Sequence, residues 1–313
     1  MPKNITTISL LGGGLEWINI TGAAKKEIDY LRRKFKFNDL DLKDSYGNKY
    51  AQRPKFYSRG HYCFLILQFP VYRPPTKAIE PEEIDFFISR DFIITLHKNN
   101  LPPLVELFNL CQRDKFYLSQ YPGNSLPSLL YEMISRLQEY CYPILDHLSL
   151  DIKNIEKNIF AGRERNMVTE ILFIKRNILN FRKIMQAHKS VIQKIVKDSN
   201  GLIAGQANKA YFHNLIETTK DIWDILSEQK ELIEALEDTN TSLVSFKLND
   251  IMRTLTIFSV VVFPLTLLAA IFGMNTVNGM PFADSPHGFW LVIMIMLAGA
   301  LCMFLFFKRK KWL

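Results

Sequence analysis

Cysteine is scarce and scattered: Cys63, Cys111, Cys141 and Cys302 form no CxxC pair, and no Cys/His cluster has metal-ligand spacing. Neither a disulfide framework nor a zinc site is indicated, so the polar part of the chain reads as cytosolic. Residues 1–20 lack the basic start and apolar core of a secretory signal, which predicts that the N-terminal region stays in the cytoplasm. There is no Walker-type glycine-rich loop, and no nucleophile has a neighbouring base, so neither fuelled transport nor enzyme chemistry is indicated. Charge is missing from two stretches, residues 255–272 (eighteen) and 289–307 (nineteen). A hydrocarbon layer of roughly 30 Å takes about 20 residues of helix, so both stretches are long enough to span it.

What is present fits a membrane protein with a large soluble part. The overall balance, 48% hydrophobic and 22% charged, is that of a globular chain, because the average hides the two apolar blocks. Residues 273–288 between them hold one acid, Asp284, and no Lys or Arg, whereas Lys247 and Arg253 precede the first block and Lys308, Arg309, Lys310 and Lys311 follow the second. Positive charge marks the cytoplasmic side, which predicts a hairpin with both termini inside the cell membrane.

Upstream, residues 15–20, 62–71, 84–89 and 92–97 are short Phe/Ile/Val-rich runs bounded by Gly, Pro or Asp/Asn, and are expected to be strands. From residue 126 the pattern is helical, with breaks at Ala161-Gly162 and Asn200-Gly201 and a kink expected at Pro143. The expected fold is an α+β cytoplasmic domain followed by long helices and a two-helix transmembrane hairpin. The boundaries are an N-terminal α/β domain (1–125), an antiparallel long-helix pair (126–207), a stalk helix continuing into the first transmembrane helix (208–272), an outer loop (273–288), a second transmembrane helix (289–307) and a basic tail (308–313).

No Gly or Pro occurs between Asn208 and Val262, so one helix should run from the soluble part into the first apolar block, a rod of roughly 100 Å. Such a rod needs partners along its length, and copies of itself in a ring supply them. Steps of four and three along it read Glu217, Asp221, Asp224, Glu228, Glu231, Ala235, Asp238, Ser242, Ser245, Asn249, Met252, Thr256, Ser259, Phe263, Thr266, Ala270 and Gly273. Most are acidic, hydroxyl or amide, while the other faces carry residues such as Ile222, Leu226, Ile233, Ile257, Leu265 and Leu268. A polar stripe inside a membrane is costly unless it meets water or a partner, which makes a pore wall one reading. Two ordinary readings compete: small and hydroxyl residues in spans more often pack helices together, and acids on soluble helices are usually solvated.

At the outer end of the first block stand Gly273-Met274-Asn275, then Met280-Pro281, with Pro264-Leu265-Thr266 before them and Lys-Arg-Lys-Lys-Trp-Leu at the end of the chain. This combination resembles the CorA family of divalent-cation channels, whose mark is a Gly-Met-Asn at that place. Gln52-Arg53-Pro54-Lys55, Ile84-Asp85-Phe86-Phe87, Ile94-Thr95-Leu96-His97 and residues 249–256 extend the resemblance over the whole chain. It implies a funnel-shaped homopentamer in the inner membrane, with passive uptake of Mg²⁺ and some Co²⁺ or Ni²⁺. Its partners would be its own copies, membrane lipid and divalent metal ions, with no nucleic acid and no organic cofactor. It also implies an entrance formed by Gly273, Met274 and Asn275. The wall it implies holds Asn249, Met252, Leu255, Phe263 and Thr266, with Asp238 at the inner mouth; the stripe adds Thr256, Ser259 and Ala270, and Lys308, Arg309, Lys310 and Lys311 would form a basic ring if they encircle that mouth, membrane-interface anchoring being a sufficient alternative.

Departures from the family pattern are also visible. Phe272 stands where Tyr is common, and the loop has only Asp284 where many members carry more acid. Members that sense cytosolic Mg²⁺ place an acid on the long helix where this chain has Asn214; Glu80, Glu82, Glu83, Glu217, Asp221 and Asp224 are the candidates to replace it. Two further readings stay open: a Zn²⁺ transporter of the ZntB type, and a membrane-anchored binding or sensor module whose spans only tether it.

Overall fold

The computed structural model describes residues 4–10, 14–46, 52–114, 117, 125–198, 203, 208–274, 281–282, 285–310 and 312. The chain divides into two compact units, Met1–Glu237 and Asp238–Leu313.

The first unit is built on a six-stranded sheet: β1 (Ile5–Leu10), β2 (Leu15–Thr21), β3 (Lys55–Ser58), β4 (Cys63–Arg73), β5 (Ala78–Ile88) and β6 (Phe92–His97). The spatial order is β1-β2-β6-β5-β4-β3. Among the described strands the β2–β6 pair is parallel, with Ile18 opposite Ile94, and the other four pairs are antiparallel. The four expected strands are β2, β4, β5 and β6. β5 begins six residues before the expected strand because its acid- and proline-bearing start, Glu80 to Glu83, zips against Val71 to Gln68 of β4. The edge strands β1 and β3 are short or polar and gave no clear alternation.

Helices cover both faces. Ile28 and Leu31 of α1 (Lys25–Phe35) and Leu42 of α2 (Asp39–Asp44) join Ile20, Phe64, Ile66, Phe87 and Ile94 in one core. On the other face Trp17 meets Phe108 of α3 (Pro102–Arg113) edge-on at 4.9 Å, and Phe69 meets His188 of α7 (His188–Lys197) edge-on at 5.0 Å.

Between α3 and α7 come α4 (Leu126–Glu139), α5 (Cys141–Phe160) and α6 (Glu164–Met185). α4 ends at Glu139, four residues before Pro143, because proline has no N–H to give the Glu139 carbonyl and its ring crowds it. The α6–α7 break at Gln186–Ala187 has no Gly or Pro. It falls where the buried His188 Nε2 turns to the Gln68 carbonyl at 2.6 Å. α8 (Lys209–Phe272) has 64 residues, beginning in the first unit and ending in the second, and α9 (Gly288–Arg309) follows.

Candidate ion pathway along α8

In the first unit α8 is held by one face. Phe212, Leu215, Thr219, Ile222, Leu226, Gln229, Ile233 and Leu236 are buried at steps of three and four. The polar members of this seam are bonded through their amide nitrogens and hydroxyl, while Gln138 Oε1 and Gln229 Oε1 are buried without a hydrogen-bond partner. Gln138 Nε2 of α4 donates to the Leu215 carbonyl at 3.1 Å and to Thr219 Oγ1 at 2.8 Å. Gln229 Nε2 donates to the Leu145 carbonyl and to Ser149 Oγ of α5, both at 2.8 Å. Glu217, Asp221, Asp224, Glu228, Glu231 and Ala235 lie about 200° round the helix from this seam and are all exposed.

In the second unit Asp238, Asn249, Thr256, Thr266, Ala270 and Gly273 are exposed and Ser259 is half-buried. Met252, Leu255 and Phe263 show 54%, 57% and 71% of their surface, too much apolar area for water, so lipid or further protein must cover them. Among the described residues α8 and α9 are the helices apolar and long enough to cross a membrane.

The stripe hydroxyls have a defined polarity. Thr256 Oγ1 donates to the Met252 carbonyl at 2.8 Å and Thr266 Oγ1 to the Val262 carbonyl at 2.9 Å. With the proton given inward, each oxygen offers only lone pairs outward, and acceptors are what the water protons of a hydrated cation seek. α8 closes with the Gly273 N–H donating to the Ala269 carbonyl at 2.9 Å and that of Met274 to Ile271 at 3.3 Å. Asn275 and Asp284 lie outside the described residues. At the C-terminal end of α9 Lys308, Arg309 and Lys310 are exposed, and Lys311 is again outside the described residues. Trp312 stacks on Phe307 at 5.8 Å, and the Arg253 guanidinium sits 5.7 Å over the Trp312 ring, which ties the tail to α8 one residue from Met252.

The candidate sensing acids are held separately. Glu80 faces Arg73 Nε at 3.5 Å; Glu82 is buried, receives Arg73 Nη2 at 2.9 Å and accepts from Asn100 Nδ2 at 3.0 Å. Glu83 accepts from the Gln52 N–H. Asn214 donates to the Tyr131 hydroxyl at 3.0 Å, while Glu217, Asp221 and Asp224 point outward. Among the described residues no three His, Cys, Asp or Glu side chains come together as a metal site.

A family profile described as the CorA-like Mg²⁺ transporter protein matches residues 12–309. The chain belongs to the CorA family. This family consists of membrane transporters for divalent cations. The cobalt/magnesium transport protein CorA of Thermotoga maritima is 26% identical over 299 residues, covering 95% of this chain and 83% of that one. The complete structure of the CorA magnesium transporter from Methanocaldococcus jannaschii superposes with a TM-score of 0.83 at 21% identity, covering 98% of this chain and 94% of that one. The ZntB cytoplasmic domain from Vibrio parahaemolyticus shares the fold at a TM-score of 0.60 and 12% identity, over 74% of this chain and 88% of that one. CorA membership thus rests on the whole chain, and the fold on a near-complete superposition.

Sequence reasoning missed the residues that brace the CorA scaffold. Asn177 of α6 accepts from the Ile79 N–H at 3.1 Å and donates to the Lys77 carbonyl at 2.8 Å, fastening the β4–β5 hairpin. Gln138, Gln229 and Asn177 are polar positions on amphipathic helices, and single polar residues there carry no signal that separates a brace from a solvated face.

Proposed function

We propose that the chain forms a funnel-shaped homopentamer in the inner membrane, both termini cytoplasmic, and conducts divalent cations inward, Mg²⁺ first and Co²⁺ or Ni²⁺ after it. The single observation that carries this reading is the exposed face of α8, where Glu217, Asp221, Asp224, Glu228 and Glu231 lie opposite a packed seam and Thr256 and Thr266 follow at the same steps of four and three into the apolar block, a spacing that keeps to one side when the helices of a ring supercoil. Copies arranged about an axis would bring Met252 and Leu255 of neighbouring helices together as an apolar constriction and leave the hydroxyls facing a water-filled path.

In this reading the acids from Glu217 to Asp238 concentrate cations at the inner mouth, and Asn249 lies below the apolar constriction of Met252 and Leu255. Thr256, Ser259, Phe263, Thr266, Ala270 and Gly273 form the wall. Mg²⁺ sheds its waters reluctantly, so neutral oxygens that accept from those waters hold the ion and still release it. Gly273, without a Cβ, permits close approach of neighbouring backbones, and the Asn275 amide supplies oxygen without charge. A divalent ion entering across about 100 mV gains roughly 4 to 5 kcal/mol, so no fuel is needed. Cytoplasmic Mg²⁺ bridging Glu80, Glu82, Glu83, Glu217, Asp221 or Asp224, with Asn214, between copies would regulate the ring, and Lys308, Arg309, Lys310 and Lys311 would anchor its inner rim to lipid headgroups. The CorA relatives named for cobalt and magnesium transport support Mg²⁺ over Zn²⁺.

The test is ion uptake into proteoliposomes with Mg²⁺, Co²⁺, Ni²⁺ and Zn²⁺ in competition. Mg²⁺ should be taken up, and Asn275→Ala should abolish this while native mass measurement still finds five chains. Full uptake by Asn275→Ala would leave a tethered module as the better reading, and preference for Zn²⁺ would move the chain to the ZntB type.

A further inference from the structure

Between the β4–β5 hairpin and the α5–α6 pair lies a cavity of about 640 Å³, within the range of small-molecule sites and remote in sequence from the stripe. Asn177 builds its floor by holding the hairpin tip on both sides of Ala78, and Asn180 Nδ2 adds a bond to the Ile79 carbonyl at 3.2 Å. The wall is apolar through Ile144, Leu148 and Ile174, and aromatic through Tyr72, His147 and Phe173. The Tyr72 and His147 rings lie 5.8 Å apart at 56°.

At the half-exposed rim of this space the two helices bring two carboxylates, Asp151 from α5 and Glu170 from α6. Burial pushes the Asp151 carboxyl above its ordinary range, the nearby His147 offsets this, and the Glu170 charge pushes it up again. The Asp151 Oδ2 to His147 Nδ1 distance is 3.8 Å, too long for a good hydrogen bond, and among the described residues Lys77 is the one ammonium lining the cavity.

We propose that this cavity binds a small organic cation, a primary ammonium on an aromatic or short aliphatic body, with the ammonium between Asp151 and Glu170 and the body against Leu148, Ile174 and Phe173. The chemistry selects among ligand classes. Two carboxylates against Lys77 disfavour an anion. A neutral apolar guest would cover the two carboxylates without offering either a donor or a charge. For a bare metal ion, His147, Asp151 and Glu170 do not come together as a three-ligand site among the described residues. An ammonium gains the two charges and the faces of Tyr72 and Phe173, and its apolar body replaces water along the wall.

The experiment uses the full chain in lipid nanodiscs and ligand-observed saturation-transfer NMR with phenethylammonium, its neutral counterpart 2-phenylethanol and the anion 3-phenylpropionate, each corrected for binding to empty nanodiscs. The expected result is saturable binding of phenethylammonium, at least tenfold tighter than the alcohol, with no binding of the anion and at least a tenfold loss in Asp151→Asn/Glu170→Gln. Equal binding of amine and alcohol, absence of saturable amine binding, or an unchanged affinity in the double variant would each overturn the proposal. Circular dichroism establishes that the variant is folded; if it is not, the amine-to-alcohol ratio on the unsubstituted protein decides.

Discussion

The carbonyl oxygen of Phe282 rests against Gly288, closer than any Cβ at that position would allow. Phe282 holds a positive φ of 69°, its carbonyl accepts from the Ser285 N–H at 3.2 Å, and the Ser285 carbonyl accepts from the Gly288 N–H at 3.0 Å. The entry to α9 is therefore a compact turn that glycine alone admits. In the proposed ring this turn would follow directly on the entrance segment that begins at Gly273 and Met274, so its geometry would bear on ion entry. Gly288→Ala should cost about 1–3 kcal/mol of overpacking and displace the turn. Mg²⁺ uptake into proteoliposomes is expected to fall roughly tenfold, which is about 1.4 kcal/mol. Protease resistance of the Met1–Glu237 unit should stay unchanged; wild-type uptake by the variant would show that the turn is irrelevant to the entrance.

Two buried histidines set an acid limit on the first unit. His97 uses both ring nitrogens as a neutral ring, with Nε2 donating to Asn19 Oδ1 at 2.9 Å and Nδ1 accepting from the Asn99 N–H at 3.0 Å. His188 is fully buried against Phe69 and the Gln68 carbonyl. Burial lowers both to about 4. The unfolded chain takes up these protons near pH 6.5, so the folded state binds fewer between that pH and about 4. Stability is complete above the upper value and drains away as pH falls toward the lower, by at most roughly 3 kcal/mol per ring. Urea unfolding at pH 7 and pH 5 should show this loss, and His188→Gln should show a smaller one; an equal slope in the variant would refute the assignment.

Asp85 acts in the opposite direction. Its carboxylate is buried in the sheet, and one oxygen, Oδ1, has no hydrogen-bond partner. Burial first, and then the charge of Glu83, hold the carboxyl well above its ordinary range. A raised carboxyl favours the protonated folded state, so its contribution is present at low pH and is lost as pH climbs through the folded value. Asp85→Asn, which keeps the shape without the charge, should stabilise the protein at pH 8 by about 1–3 kcal/mol and change little at pH 4. Thermal unfolding at the two pH values checks this, and destabilisation at pH 8 would mean that the charge is compensated.

Much of this was legible because period and composition agree. β2, β4 and β6 alternate cleanly or run apolar, and the stretch of α8 without Gly or Pro announced its length. The outward face of α8 was readable for the same reason, since the buried seam from Phe212 to Leu236 keeps one register. β1 was not, because Thr6, Thr7 and Ser9 dilute its pattern, and the Glu80–Glu83 half of β5 was not, because a strand of acids and proline forms only when a partner such as β4 is already in place. Nor could the order β1-β2-β6-β5-β4-β3 be read, because pairing β2 with β6 joins segments about seventy residues apart. The braces of Asn177, Gln138 and Gln229 depend on tertiary proximity that no local spacing encodes.

The stripe itself yields the sharpest test, because α8 contains a matched control. Thr254 and Thr266 both donate to the carbonyl four residues back, Asp250 and Val262, each at 2.9 Å. Replacing either by Val removes one hydroxyl, conserves shape and frees one helix carbonyl, so the local cost is the same. They differ in position: Thr266 lies on the stripe with Ser259 and Phe263, whereas Thr254 shares a face with Ile251 and Phe258. In a ring each substitution removes one acceptor per copy from the wall or from the outside. Thr266→Val should lower Mg²⁺ uptake by about tenfold, the scale of one hydrogen bond to a hydrated ion, while Thr254→Val stays within about twofold. Equal losses in the two variants would mean that the hydroxyls serve the helix and not the ion, and the assignment of this face to the pathway would have to be abandoned.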